Sequence, residues 1–217
     1  MTERMGIPFV LAAPSGTGKT TVCQLALQRD PLLDFSISHT TRSPRKGEVD
    51  QEDYHFVSAA EFRRLVESGA FVEHAEYNAE NYGTSYEALR VPLEQRGHDV
   101  LLEIEVQGAA QMRERRPDAR FIFLLPPNME ELERRLRCRG TDTEEAIDRR
   151  LAMADRELEA VRFFDYVVVN EVLEEAVSGV LAIISAERDA DEASLEKIRG
   201  VYGRGPAFAR WQGAMGS

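Results

Sequence analysis

The chain holds 217 residues, 43% hydrophobic, 30% charged and 8% aromatic, the composition of an ordinary globular protein and not of a disordered or fibrous one. A chain of this length buries roughly 70% of its unfolded surface, so a single domain with room for a mobile sub-domain needs no disulfides. With 27 basic and 38 acidic residues the net charge is −11, which argues against a nucleic-acid or anionic-membrane coat but allows a locally positive pocket.

Glu3 and Arg4 precede the first strand-like run, with no secretory-type apolar stretch. That run, Phe9-Val10-Leu11-Ala12, is continuously apolar, as expected of a strand covered on both faces. A glycine-rich loop follows, then a helical pattern through Val22 and Leu25. Residues 35–85 break the rhythm, with short half-buried strands expected at 35–38, 54–57 and 70–77. Within them Ser58 with Glu61 reads as a capping box opening a helix through Leu65. Thr84 with Glu87 reads as the start of the next helix, ending near Gly97. A second buried strand is expected at 100–104 and a third at 121–125, the latter far too short to span a bilayer. Asn128 with Glu131 opens a helix carrying Met129, Leu132 and Leu136 on one face. Residues 137–150, arginine-bearing around Gly140, read as a short mobile excursion. Ile147, Leu151, Ala154, Leu158 and Val161 mark another helix, 166–169 a fourth strand, and Leu173, Val177, Val180, Leu181 and Ile184 a last helix. After Glu187 the pattern weakens into a glycine-punctuated tail. Leu195, Ile198, Tyr202, Phe208 and Trp211 either dock that tail on the core or on a second subunit, or it is disordered.

Buried strands alternating with helices imply an α/β fold, a parallel sheet with helices on both faces and right-handed crossovers. Cys23 and Cys138 lie far apart without metal-ligand spacing, so a cytoplasmic protein with reduced thiols and no membrane or nucleic-acid partner is expected.

Ala13-Pro14-Ser15-Gly16-Thr17-Gly18-Lys19-Thr20 sits between strand and helix, the context a phosphate-binding P-loop requires. Its backbone N–H groups and the helix N-terminus would meet the phosphates of a nucleoside triphosphate, with Thr21 next in the loop-to-helix run, Lys19 would reach the β- and γ-phosphates, and the Thr20 hydroxyl would ligate Mg²⁺. Ala13 replaces the first glycine of the formal pattern by the smallest available side chain. Lysine is scarce, three against 24 arginines, which gives Lys19 weight. Arg42, Arg45 and Lys46 put +3 into a stretch with no acid from His39 to Gly47, suited to a dianionic phosphate, and Tyr54 adds a hydroxyl. In 70–77, alternation sets Glu73 on one face with Phe71, Ala75 and Tyr77, a carboxylate in need of a partner.

Ser38-His39-Thr40-Thr41-Arg42-Ser43-Pro44-Arg45-Lys46-Gly47-Glu48, Asp53-Tyr54-His55-Phe56, Phe71-Val72-Glu73, Asn81-Tyr82-Gly83-Thr84, Leu102-Glu103-Ile104-Glu105-Val106-Gln107-Gly108 and Arg139-Gly140-Thr141-Asp142-Thr143-Glu144-Glu145 together resemble guanylate kinase, over roughly residues 7–187. The resemblance implies a P-loop core (1–34 and 86–188), a small mixed or antiparallel GMP-binding insert (35–85), a mobile lid (about 137–150) and a tail (189–217) beyond the matched region. It implies ATP and Mg²⁺ as cofactors, GMP or dGMP as acceptor, and a monomer or homodimer. Ser38, Arg42, Arg45, Tyr54, Glu73, Tyr82, Gly83, Thr84, Glu103, Glu105, Gly108 and Arg150 then surround GMP. Arg135, Arg139 and Asn170 join the P-loop around ATP, and Lys19, Arg42, Arg139 and Arg150 act in transfer. Position 105 holds Glu where the family usually has Asp; it faces the base, reaches Mg²⁺ through water, or does both. Two other readings use the same scaffold: a ribose bisphosphate phosphokinase, and a non-catalytic guanylate-kinase-like module that binds phosphorylated peptides.

Overall fold

In the computed structural model, residues 4–77, 79–138 and 143–215 are described. The strands are β1 (Pro8–Ala12), β2 (Leu33–Phe35), β3 (His39–Thr40), β4 (His55–Phe56), β5 (Phe71–Tyr77), β6 (Glu80–Ser85), β7 (Asp99–Glu103), β8 (Arg120–Leu125) and β9 (Tyr166–Val169). The helices are α1 (Lys19–Arg29), α2 (Ala59–Glu67), α3 (Tyr86–Arg90), α4 (Val106–Arg115), α5 (Met129–Cys138), α6 (Glu144–Glu159), α7 (Leu173–Asp189), α8 (Glu192–Tyr202) and α9 (Arg204–Met215). A five-stranded sheet runs in the order β2-β7-β1-β8-β9, and a four-stranded one in the order β4-β3-β6-β5. In the first, β2 pairs with β7, β1 with β8 and β8 with β9, all parallel. The second is mixed, with β3–β4 parallel and β3–β6 and β5–β6 antiparallel. The α/β expectation is met. None of the described helices is long and apolar enough to cross a membrane.

The chain forms two compact units, one of Met1–Pro8 with Leu32–Ala119 and one of Phe9–Pro31 with Arg120–Ser217. In the first, Val100, Leu101 and Leu102 of β7 are fully buried, as a continuous apolar run demands. Asp99 opens that strand with no exposure, and it is compensated there by the Arg4 guanidinium and by a 2.8 Å bond from the Ile7 N–H. The helix expected to start at Thr84 starts one residue later. Thr84 is a buried member of β6, and the Ser85 hydroxyl accepts the Ala88 N–H. A π-helical turn, Val91–Arg96, extends it to Gly97, whose φ of 66° ends it in the left-handed region. The strand expected at 35–38 also differs. Phe35 belongs to the parallel sheet through β2, the small sheet begins only at His39, and β3 and β6 are additional strands with no distinct period in the sequence. Ser58 caps α2 as expected, but Glu61 turns to Arg64 instead of back to the cap.

In the second unit, β1, β8 and β9 carry a core completed by Val22 and Ala26 of α1 and by Val177, Val180, Ile183 and Ile184 of α7. Asn128 Oδ1 accepts the Glu131 N–H at 2.8 Å to open α5, whose Leu132 and Leu136 pack with Ile147 and Ala154 of α6. The described part of the tail is helical, as α8 and α9, and it docks through its only tryptophan. Trp211 is 7% exposed, stacks on Phe208, and donates its indole N–H to the Pro126 carbonyl at 2.7 Å. Tyr202 lies against α7 at Gly179, where a Cβ would meet its ring at 3.0 Å.

Candidate nucleotide-binding site

In the second unit, chain direction changes between β1 and α1 through two left-handed glycines, Gly16 (φ 95°) and Gly18 (φ 98°). Both also need to be bare. A Cβ on Gly16 would lie 2.8 Å from Leu136 Cδ2, and one on Gly18 2.7 Å from Asn170 Nδ2. Ala13 is buried and is not among the residues with positive φ, so this position of the motif does not require glycine. Pro14 is buried, Ser15 half-buried, and Thr17 buried, its N–H donating to the Pro14 carbonyl at 3.2 Å. Lys19 begins α1, followed by exposed Thr20 and Thr21. The first-turn N–H groups of α1 lack intrahelical acceptors, which suits this helix end to an anion.

Two expected ATP ligands brace this loop. The buried Asn170 amide donates to the Thr17 carbonyl at 2.7 Å. Arg135 donates to the same carbonyl at 3.3 Å, to the Asn170 carbonyl at 3.0 Å and to Glu131 at 2.8 Å. Hydrogen bonds from Arg134 and Arg135 lower the Glu131 carboxyl to about 2. Glu131 was not foreseen in this role; its i,i+4 spacing to Arg135 was the available signal. Arg150 is half-buried on α6 beside the Ile147–Leu151 stripe. Arg139, and with it Gly140, Thr141 and Asp142, lies outside the described residues.

In the first unit the small sheet sorts its side chains by face. Residues directly paired across a ladder share a face. Glu73 pairs with Thr84, Ala75 with Tyr82, Tyr82 with Thr40 and Thr40 with Phe56, so these lie on one side. His39, His55, His74, Gly83 and Phe71 take the other, where Phe71 stacks on Phe62 of α2 at 4.8 Å. The simple alternation that grouped Glu73 with Phe71 is therefore corrected. A β-bulge sets Phe71 opposite Ser85 and Glu73 opposite Thr84, adjacent partners, and so turns Glu73 to the opposite face from Phe71.

On that face Glu73 is 4% exposed. Burial pushes its carboxyl up and Glu105 adds to the rise, while hydrogen bonds from the Thr84 hydroxyl and N–H and the charge of Arg115 oppose it. Ser38 Oγ lies 3.4 Å from Thr84 Oγ1, extending the polar chain from Glu73. Gly108, in the first turn of α4, abuts the Glu73 carboxylate, and Glu105 caps that helix by its backbone. Glu103 ends β7, half-buried like Glu105.

Arg42 lies across the Tyr54 and Phe56 rings, its guanidinium carbon 5.3 and 5.7 Å from their centroids. Tyr54 meets Tyr82 edge-on at 6.1 Å. Glu48 takes the Arg42 fork bidentately at 2.9 Å on each arm, and accepts the Arg45 N–H at 2.7 Å. That pairing raises Arg42 and lowers Glu48. The Arg45 side chain is exposed. Glu48 stood in the basic motif, but the sequence carried no sign that it grips Arg42. Buried carboxylate, two hydroxyls and an aromatic-backed arginine on one face can hold a flat base with adjacent donors and, beyond it, a phosphate.

The guanylate kinase family model matches residues 5–187. A guanylate kinase of Halalkalibacterium halodurans is 44% identical over 197 residues, 91% of this chain and 96% of the relative. One of Nitratidesulfovibrio vulgaris is 52% identical over 174 residues, 80% of this chain and 84% of the relative. Among solved structures, the crystal structure of guanylate kinase from Anaplasma phagocytophilum superposes with a TM-score of 0.70 at 34% identity, covering 90% of this chain and 94% of that one. A P-loop in one unit and a carboxylate-and-arginine face in the other are thus features of a chain that belongs to the guanylate kinase family.

Proposed function

We propose that this chain is an ATP:GMP phosphotransferase that acts with Mg²⁺. The observation that carries the reading is Glu73, buried on the same sheet face as Thr84, Tyr82 and Phe56, with Arg42 over the aromatic rings. Guanine presents adjacent N–H donors on its Watson–Crick edge, so a carboxylate accepts from both, whereas adenine offers an acceptor at one of those positions. Arg42, Arg45 and Tyr54 hold the GMP phosphate in this reading, and Ser38 and Thr84 add hydroxyls at the base; dGMP keeps every one of these groups.

The donor set fits magnesium. Among the described residues no cluster of three His, Cys, Asp or Glu side chains could hold a metal alone, but Thr20, an exposed residue in the first turn of α1, carries a hydroxyl. In P-loop proteins the loop Ser or Thr hydroxyl joins phosphate and water oxygens around Mg²⁺, and Thr20 would be that ligand here. When bound, Mg²⁺ neutralises charge on the β- and γ-phosphates.

The acceptor oxygen of GMP is already anionic, so no general base is needed. That oxygen bonds to the γ-phosphorus as the bond to the β,γ-bridging oxygen breaks, and the electron pair leaves on ADP. The loop N–H groups and Lys19 orient the donor and balance its charge, and Arg139 and Arg150 are assigned to the moving phosphoryl. A coupled assay offering ATP with GMP, AMP or a ribose bisphosphate tests the reading: ADP release with GMP far above the others is expected, and equal or greater release with either alternative overturns it.

A further inference from the structure

The bulge that directs Glu73 is held from outside the sheet. Among the described residues β5 is an edge strand, so its outer carbonyls and N–H groups have no strand partner there. Two side chains of α4 fill that role. Gln111 pairs with His74 twice, its amide nitrogen donating to the His74 carbonyl at 2.7 Å and its oxygen accepting the His74 N–H at 3.3 Å. One turn on, Arg115 Nη1 donates to the Val72 carbonyl at 2.9 Å and to the Phe71 carbonyl at 3.2 Å, both at the bulge. Gly108, Gln111 and Arg115 stand at i, i+3 and i+7, so a single face of α4 meets β5 before, at and beyond Glu73.

A bulge leaves ladder groups unpaired, and charged donors are the strongest compensation for them. Straightening β5 would shift Glu73 to the face where Phe71 packs on Phe62, because a one-residue slip reverses every side chain. We propose that Gln111 and Arg115 are positioning residues for base selection, which hold β5 in its bulged register and so keep Glu73 on the guanine-facing side. The hydrogen bonds shown for both go to the β5 backbone. The proposal rests on the reading of Glu73 as the base-selecting group.

The test is a double-mutant cycle on the full chain with Arg115→Met, which keeps the apolar stem and removes the donors, and Glu73→Gln. Arg115→Met should raise the KM for GMP about tenfold, the worth of one charge-assisted bond, with kcat and the KM for ATP within about twofold. The GMP-to-AMP ratio of kcat/KM should fall, Arg115→Lys should restore most of it, and the double variant should be no worse than Glu73→Gln alone. If Glu73→Gln collapses the ratio while Arg115→Met leaves it intact, or if the two losses add fully, the clamp is wrong and the base reading stands. If Glu73→Gln leaves the ratio unchanged, the base reading itself falls and takes the clamp with it. Should Arg115→Met not fold, Gln111→Leu carries the same comparison at His74.

Discussion

The Glu73 carboxylate fills the space of the β-carbon that Gly108 lacks: a Cβ built on Gly108 would lie 2.4 Å from Glu73 Oε2 and 3.2 Å from its Cδ. The bare position seats a buried acid against the first turn of α4, where backbone N–H groups lack helical acceptors and the dipole favours a negative group. Gly108→Ala should therefore displace Glu73 and leave the P-loop unit alone. We expect kcat/KM for GMP to fall by roughly 10- to 100-fold, in the range of a lost charged hydrogen bond, with binding of ATP unchanged by calorimetry. Unchanged GMP kinetics would show that the carboxylate can move without cost.

Lys19→Ala should lower kcat/KM by about 3–5 kcal/mol, because the lysine neutralises charge that develops on the phosphoryl group. Lys19 is the half-buried first residue of α1 rather than part of the core, so the melting temperature should hold. Steady-state kinetics within threefold of the parent would remove it from the mechanism.

Arg42 and Glu48 make a signed prediction. Arg42→Ala removes a phosphate ligand and also exposes the incoming dianion to the Glu48 charge that Arg42 had compensated. Its KM for GMP should rise by the equivalent of about 1.5–3 kcal/mol. Adding Glu48→Gln should recover part of that loss, since the leftover repulsion is gone. A double variant worse than Arg42→Ala would mean that Glu48 orders the loop by itself.

His39 predicts a pH dependence of stability. Burial and the neighbouring His55 lower it from 6.5 to about 4, against a raising influence from Glu61, and its Nδ1 finds no hydrogen-bond partner among the described residues. Between those values the unfolded chain binds the proton and the folded one does not, so stability falls as pH drops from about 6.5 towards 4. His39→Gln should flatten that part of the curve in denaturant titrations. An acid limb identical to the parent would place the titration elsewhere.

Trp211 reports the docked tail. Its fluorescence should be blue-shifted in the folded protein and move to the red on denaturation. Trp211→Phe keeps the stacking with Phe208 but strands the Pro126 carbonyl, at a cost of about 1–3 kcal/mol in denaturant unfolding. An emission maximum that does not move on denaturation would show an exposed ring.

Residues that work through their immediate neighbours were legible without any structure. The run 9–12, the loop 13–20 and the helix after it form one continuous segment, and Gly16 and Gly18 carry their backbone demand in their own identity. The same holds for the strands expected at 100–104, 121–125 and 166–169, whose apolar runs declare two covered faces; the first of them, β7, is shifted one residue earlier, to Asp99–Glu103. Ser58 and Asn128 cap the helices beginning beside them.

Other features needed partners distant in the chain. Phe71-Val72-Glu73 alternates like any straight strand, and only pairing with Ser85 and Thr84, together with donors from Gln111 and Arg115, decides which face Glu73 takes. Thr84 looks like a helix cap until β5 claims it for the sheet and leaves the cap to Ser85. The tail has weak periodicity, yet Trp211 is buried because the Pro126 carbonyl, 85 residues earlier, accepts its N–H. Periodicity and capping report what a segment does with its own backbone. Register, bulge and docking are set by hydrogen bonds from elsewhere in the chain, and only the tertiary structure brings those donors and acceptors together.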